Sequence, residues 1–178
     1  MKKQRARSIG SPTIAVLTCY TRLQTPVGKL LLVGERRANQ LALLGVYFQD
    51  EPHAARALPE GAREDPAAFT EVRTQLGAYF DGKRRSFDLA LTPRGTAFQR
   101  RVWRALAAIP YGATTTYAAI ARSIGCPKAV RAVGAANAKN PFSIVVPCHR
   151  VIGKDGTLTG YAGGVSRKRR LLELESSQ

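Results

Sequence analysis

The chain has 178 residues, enough of them apolar to build a core, with a formal net charge of +16, three cysteines and two histidines. That length gives one large domain or two small ones, with no need for stapling. No apolar run is long enough to span a membrane, and so few scattered Cys and His leave neither a disulfide framework nor a zinc site. The charge is uneven. Residues 1–93 carry 14 Lys and Arg against 9 Asp and Glu, whereas residues 94–178 carry 14 against 3. A polyanion is therefore the expected partner, met mainly by the C-terminal half. Cys19, Cys126 and Cys148 are odd in number and far apart, which fits a reducing, cytoplasmic setting.

In chain order, residues 1–12 are basic and are expected to be a disordered tail. A signal peptide is the alternative, but Thr13, Thr18 and Cys19 dilute the apolar run that follows. "TIAVLTCYTRL", "TPVGKLLLVGE" and "NQLALLGVYF" read as three strands with short turns, hence an antiparallel meander. Residues 49–65 read as a loop, with His53 exposed to solvent. "DPAAFTEVRTQLGAYFDG" reads as a helix capped by Asp65 and ended by Asp81-Gly82, with Phe69, Val72, Leu76 and Tyr79–Phe80 on one face. "RRSFDLAL" reads as a short strand, and "TPRG" at 92–95 as a boundary. The expected domains are thus 13–92 and 93–178.

The second half reads as mostly helical. Thr96 and Gln99 form a capping-box pattern before a stripe of Phe98, Val102, Leu106 and Ile109. Helices are expected at 116–124 and 127–138 around the turn Gly125-Cys126-Pro127, a helix-turn-helix candidate. The second of these, "KAVRAVGAANA", offers little to read base edges in a major groove. Small residues such as Ala129, Ala132, Gly134 and Ala135 let a backbone approach a minor groove without sequence preference. Arg131 is the long cation in the middle of that helix. It could fill the gap left by an extruded base, contact phosphates, or simply be a surface residue. "SIVV" reads as a buried strand, "GKDGTLTGYAGG" as a turn-rich loop, and "SRKRRLLELE" as a C-terminal helix.

Between those last elements stands "NPFSIVVPCHRVIG". Cys148 is either a small core residue or a nucleophile. An imidazole beside it favours thiolate, but successive side chains on a strand point to opposite faces. The chain must therefore turn after Pro147 if Cys148 and His149 are to cooperate. Glu175 is one of three acids after residue 93. It could complete a Cys/His/acid relay, or be a solvated charge at a helix end.

"IPYG", "TYAAIA", "RAVGAAN", "NPFSIVVPCHRVIG" and "GYAGG…RKRRLLELE" closely resemble the O6-alkylguanine-DNA alkyltransferases, the methylated-DNA–protein-cysteine methyltransferases of DNA repair. The likeness covers residues 96–175 and extends more loosely through "TPVGKLLLVG", "AYFDG" and "FDLALTPRGTAFQRRVW". It implies an α+β chain: a small ribonuclease-H-like α/β domain with an antiparallel sheet, then a mostly helical domain with a winged-helix-like helix-turn-helix. It implies irreversible, single-turnover transfer of an alkyl group from O6 of a flipped-out guanine to Cys148, with O4-alkylthymine an additional candidate lesion. His149 takes the thiol proton through a water, and Glu175 supports it. Tyr117 assists the leaving base, Arg131 fills the vacated stack, and Asn140 braces the turn before the active-site segment. Tyr161 and backbone groups at Cys148 and Val151 form the guanine pocket. The implied partner is double-stranded DNA carrying O6-alkylguanine, bound by a monomer, with cooperative assembly on DNA a further candidate. No metal or cofactor is implied. Ala162 stands where some relatives carry serine, and Ala118 where bacterial relatives commonly carry glycine. Two rivals remain: a binding module that flips the base without altering it, and a Cys/His hydrolase.

Overall fold

The computed structural model describes residues 15–177, so the basic tail and the first residues of the expected opening strand lie outside the described residues. Strands β1 (Val16–Thr25), β2 (Gly28–Arg37) and β3 (Gln40–Phe48) form the expected antiparallel meander. Burial of Leu30, Leu32, Leu43, Val46 and Phe48 on one side turns the alternating pattern into a core-facing sheet surface. A second, smaller cluster around Leu31, Val33 and Leu44 packs beneath the short helix α1 (Pro52–Ala57), whose Ala54 is buried.

The segment 49–65 is thus not the plain loop the sequence suggested. It holds α1 and a two-residue strand, β4 (Arg63–Glu64), which pairs parallel with β1 and makes the sheet mixed, in order β3-β2-β1-β4. Both pieces are too short to carry a hydrophobic period, which is why composition reads them as loop. His53 is exposed, as expected. The helix predicted after Asp65 begins as a 3-10 turn at Pro66–Phe69, with the Asp65 carboxylate accepting from the Ala68 N–H, and continues as α2 (Thr70–Phe80). Phe69, Val72, Leu76 and Tyr79 are buried, as their spacing predicts.

"RRSFDLAL" forms no strand of its own. It runs extended beside β3 and makes a single parallel bridge, Leu43 with Leu91, through Leu43 N–H to Ala90 (2.7 Å) and Thr92 N–H to Leu43 (2.8 Å). Gln75 intercepts the chain upstream, accepting from the Asp88 N–H and donating to the Asp88 carbonyl, so a side chain takes the place of a ladder.

Helix α3 (Ala97–Ala107) carries the predicted capping box, with Thr96 and Gln99 satisfying each other's backbone N–H groups. Val102, Leu106 and the following Ile109 are buried, and Phe98 is half-buried. Helices α4 (Tyr117–Ser123) and α5 (Val130–Ala138) form the helix-turn-helix pair. Gly125, at φ +70°, reverses the chain between them. Helix α5 starts later than predicted. Pro127 and Lys128 form a turn ahead of it, and the Ala129 N–H closes onto Cys126. A parallel pair, β5 (Thr115–Thr116) with β6 (Val151–Ile152), and helix α6 (Val165–Ser176) complete the chain. One buried cluster runs from Leu30 and Phe48 through Leu106 and Ile144 to Leu171, so the core is continuous across residue 93. Among the described residues no helix is long and apolar enough to cross a membrane.

Trp103 ties α3 to the recognition-helix candidate α5. Its ring is buried and its Nε1–H donates to the Ala136 carbonyl at 2.8 Å. Trp103→Phe removes that donor and leaves the carbonyl with the Lys139 N–H alone. The expected loss is about 0.5–1.5 kcal/mol, read by urea unfolding. An unchanged midpoint would show that the bond contributes nothing net.

Candidate active site

The stretch read as a strand, "SIVV", is instead a series of tight turns. β-branched residues suggested extended backbone, but local hydrogen bonding overrides that propensity. Asn140 is the cause. Its Oδ1 accepts from the Phe142 N–H (3.1 Å), and its Nδ2 donates to the carbonyls of Phe142 (3.4 Å) and Val146 (2.8 Å). The Val146 N–H returns to Phe142 at 2.9 Å, and Ile144 is driven to φ +73° while fully packed. A β-branched residue there costs about 1–3 kcal/mol and persists only when its surroundings over-determine it. They do so here. Strand β3 grips the segment from the far side, with Val46 N–H bonded to Pro141 (2.8 Å) and Ser143 N–H to Val46 (2.9 Å).

The chain then makes the turn that cooperation requires. Cys148–Arg150 form one 3-10 turn, so Cys148 and His149 do not lie on opposite faces of a strand. Both are buried. Asn140 Nδ2 lies 3.1 Å from Cys148 Sγ and donates to it. Burial pushes the thiol up to about 11; the Asn140 bond and nearby Lys168 pull it down, and Glu51 adds to the rise. The resting group is therefore a thiol, and its nucleophilic form needs a base.

His149, next in the chain, turns its ring toward Glu175. Its Nε2 is 2.9 Å from Glu175 Oε1. With Glu175 ionised, Nε2 carries the proton and Nδ1 presents a lone pair. Nδ1 is buried and has no hydrogen-bond partner among the described residues. Burial lowers the basicity of the ring against the opposing pull of Glu175, so His149 rests neutral.

Glu175 is not a solvated charge. It is buried and accepts from five donors: His149, Arg150 Nε (2.8 Å) and Nη2 (2.9 Å), the Tyr79 hydroxyl (2.7 Å) and the Gly112 N–H (3.2 Å). Burial alone would raise its carboxyl, but the bonds from His149 and Arg150 hold it well below the usual range. Arg150 also donates to the Ile109 carbonyl at 2.6 Å.

Tyr117 opens α4, where the Thr116 hydroxyl accepts from the Ala119 N–H. Thr116 also pairs with Ile152, which places Tyr117 beside the chain leaving the cysteine turn. Its hydroxyl donates to the carbonyls of Thr159 (3.3 Å) and Gly160 (3.4 Å), and burial raises its pKa, so it stays a donor. Val151 is fully buried and Tyr161 nearly so; the Tyr161 ring sits edge-on to Phe48 at 6.1 Å. Gly163 allows this close approach, because a Cβ there would meet Phe48 at 2.6 Å. On α5, Val133, Ala136 and Asn137 face inward. Arg131, Ala132 and Ala135 are exposed, and Ala129 and Gly134 are half-buried. Arg131 thus stands on an outer face, apart from the Cys148 cluster. Among the described residues no group of three His, Cys, Asp or Glu could hold a metal ion.

Sequence reasoning missed four groups at the site: Arg150, Tyr79, Lys168 and Glu51. Arg150 was visible beside His149, and Lys168 shares the buried face of α6 with Leu171 and Glu175. Tyr79 and Glu51 come from the first half of the chain and leave no local signal. Glu51 is buried, with Oε1 unpartnered among the described residues and its carboxyl pushed up to about 7 by burial.

Glu175 gives an acid-stability prediction. A carboxyl depressed in the folded state stabilises above its unfolded pKa of about 4.3, and that contribution is lost as pH falls through the lower folded value. Glu175→Gln leaves Arg150 buried without its counter-ion. It should cost about 3–5 kcal/mol at neutral pH and flatten the acid limb of a stability–pH curve. An unaltered acid limb would assign that limb to other carboxylates.

Comparison with known proteins finds relatives along nearly the whole chain. The family described as 6-O-methylguanine DNA methyltransferase, ribonuclease-like domain, matches residues 18–93, and its DNA binding domain matches residues 97–177. The methylated-DNA–protein-cysteine methyltransferase of Mycobacterium bovis is 49% identical over 160 residues, 89% of this chain and 93% of that protein. The protein of the same name from Methanosarcina barkeri is 49% identical over 89% of this chain and 97% of its own length. The crystal structure of Mycobacterium tuberculosis O6-methylguanine methyltransferase superposes with a TM-score of 0.80 at 47% identity, covering 90% of this chain and 94% of that one. The same organism's OGT in complex with DNA superposes equally well, with a TM-score of 0.80 over 89% of this chain and 92% of that one. The turn at Cys148 and the buried Glu175 that organises it thus sit in a chain that belongs to the methylated-DNA–protein-cysteine methyltransferase family.

Proposed function

We propose that this protein repairs DNA by direct reversal, moving the alkyl group of an O6-alkylguanine irreversibly onto Cys148. The observation that carries the proposal is the 3-10 turn that places Cys148 against Asn140 while Glu175 fixes the neighbouring His149. Base chemistry at O6 requires the guanine to leave the stack, at a cost of a few kcal/mol. The outer face of α5, with small residues around Arg131, suits close approach to a groove without reading its sequence. Ala129, Ala132, Gly134 and Ala135 form that approach surface, and Arg131 fills the vacated stack.

In the flipped complex, His149 Nδ1 accepts the thiol proton through a water, and the imidazolium is stabilised by Glu175. The sulfur attacks the alkyl carbon. An S–C bond forms, the C–O6 bond breaks, and the electron pair remains with the guanine. Tyr117, held protonated, donates toward the base as it leaves. Asn140 steadies the sulfur. Val151 and Tyr161 form the guanine pocket, with Ala162 leaving recognition of O6 to backbone N–H groups. No step calls for a metal or cofactor. The thioether has no route back to thiol, so each molecule acts once. Residues 13–92 form the supporting domain and residues 93–178 the domain that binds and reacts, the chain acting as a monomer. Its three free thiols suit a reducing cytoplasm.

Incubation with an O6-methylguanine duplex should add one methylene to the mass of the Cys148 peptide and abolish one titratable thiol. Lesion binding with no mass change would favour a base-flipping binding module, and a mass change surviving Cys148→Ala would remove Cys148 as acceptor.

Arg131→Ala should slow repair in duplex DNA by about tenfold or more, while reaction with free O6-benzylguanine stays within about twofold, because only the duplex must be unstacked. Equal losses on the two substrates would refute the stack-filling role.

A further inference from the structure

We infer that Lys168 is a further positioning residue of the transfer reaction: its buried ammonium ties together the two walls of the guanine pocket and balances the negative charge that forms on Cys148. The inference rests on the alkyl-transfer reading above. Lys168 is fully buried, unusual for a lysine, and makes no ion pair among the described residues. Its Nζ donates to the Val151 carbonyl at 2.6 Å and to the Thr159 carbonyl at 2.8 Å. Val151 ends the cysteine turn, and Thr159 lies on the return of the loop that leads to Tyr161. One side chain thus clasps both ends of the loop that closes the pocket. The Thr159 carbonyl also accepts from the Tyr117 hydroxyl, so the same clasp sets where that donor points.

The charge has a second consequence. A buried ammonium bonded only to neutral carbonyls lacks an anion, a costly arrangement unless one forms nearby. Cys148 is the group that becomes anionic. Lys168 pulls the thiol down, and a Cys148 thiolate in turn raises the proton affinity that burial lowers in Lys168. The other groups around the sulfur are Asn140, which favours the thiolate, Glu51, which opposes it, the neutral phenols Tyr117 and Tyr161, and His149, the base. Lys168 is the cation among them. Helix α6 places it two turns before Glu175 on one buried face, so a single helix supplies the acid for His149 and the cation for the sulfur.

The test compares wild type, Lys168→Met and Lys168→Arg for reaction with free O6-benzylguanine across neutral and alkaline pH. Binding to an unmodified duplex is measured alongside as a check of the fold. Lys168→Met should react about tenfold more slowly at neutral pH and shift its pH–rate profile up by about one unit, the effect of removing one nearby cation. Lys168→Arg should recover most of the rate and the wild-type profile. A Met variant with the wild-type profile, or an Arg variant no better than Met, would overturn the inference. So would loss of duplex binding by both variants, which would make the lysine a part of the fold. Absence of reaction in the wild type would instead overturn the alkyl-transfer reading itself.

Discussion

The site depends on one buried carboxylate. Glu175 accepts from His149, Arg150, Tyr79 and the Gly112 backbone, and these donors come from three separate parts of the chain, with α6 supplying the acceptor. Such an arrangement is stable only when complete. Each donor lowers the cost of burying the charge, and loss of one leaves the rest strained against a desolvated anion. The carboxylate therefore fixes where α2, the loop after α3, the cysteine turn and α6 meet. It also decides the tautomer of His149, the property on which a general base depends.

The first half of the chain is consequently part of the site. Strand β3 bonds to residues 141–143, and the Tyr79 hydroxyl reaches Glu175. Arg167 adds a third tie. It bonds the Val27 carbonyl at 2.8 Å and Asp50 at 2.8 Å and lies over the Phe48 ring at 4.6 Å. Phe48 in turn seats Tyr161. The sheet thus buttresses the reactive segment, which explains how Ile144 is kept at positive φ. Strain in that turn is offset by hydrogen bonds that begin in β3 and end in Asn140.

What the sequence revealed follows the range of the interactions. The meander, the capping box of α3, the stripe of Val102, Leu106 and Ile109 and the helix-turn-helix were legible because each is a local pattern. The family resemblance pointed to Cys148, His149, Glu175, Tyr117, Asn140 and Tyr161, and the structure gathers them around the turn at Cys148. "SIVV" misled because Asn140 satisfies the backbone that a strand would have paired elsewhere. "RRSFDLAL" misled because Gln75 does the same at Asp88. Helix α5 begins late because the Pro127 turn is closed by Cys126 and not by helical bonds. Tyr79 was invisible since nothing within its own segment marks a contact so distant in sequence, and the burial of Glu51 likewise leaves no local trace.

The resting thiol poses a last physical question. A group held near 11 by burial is almost wholly protonated at neutral pH, and thiolate character is what exposes cysteine to oxidation and stray electrophiles. For a protein that reacts once, that inertness preserves the nucleophile until substrate arrives. Activation then has to be local. Asn140 donates to the sulfur, and the proposed base, His149 with its unpartnered Nδ1, and the proposed cation, Lys168, complete the set; each gains most when bulk water is expelled and the local dielectric falls. In the proposed reaction, a guanine seated against Tyr161 and Val151 displaces bulk solvent and leaves the single water that bridges Cys148 and His149. On that reading, the event that delivers the alkyl carbon also strengthens the interactions that release the thiolate, coupling lesion recognition to reactivity.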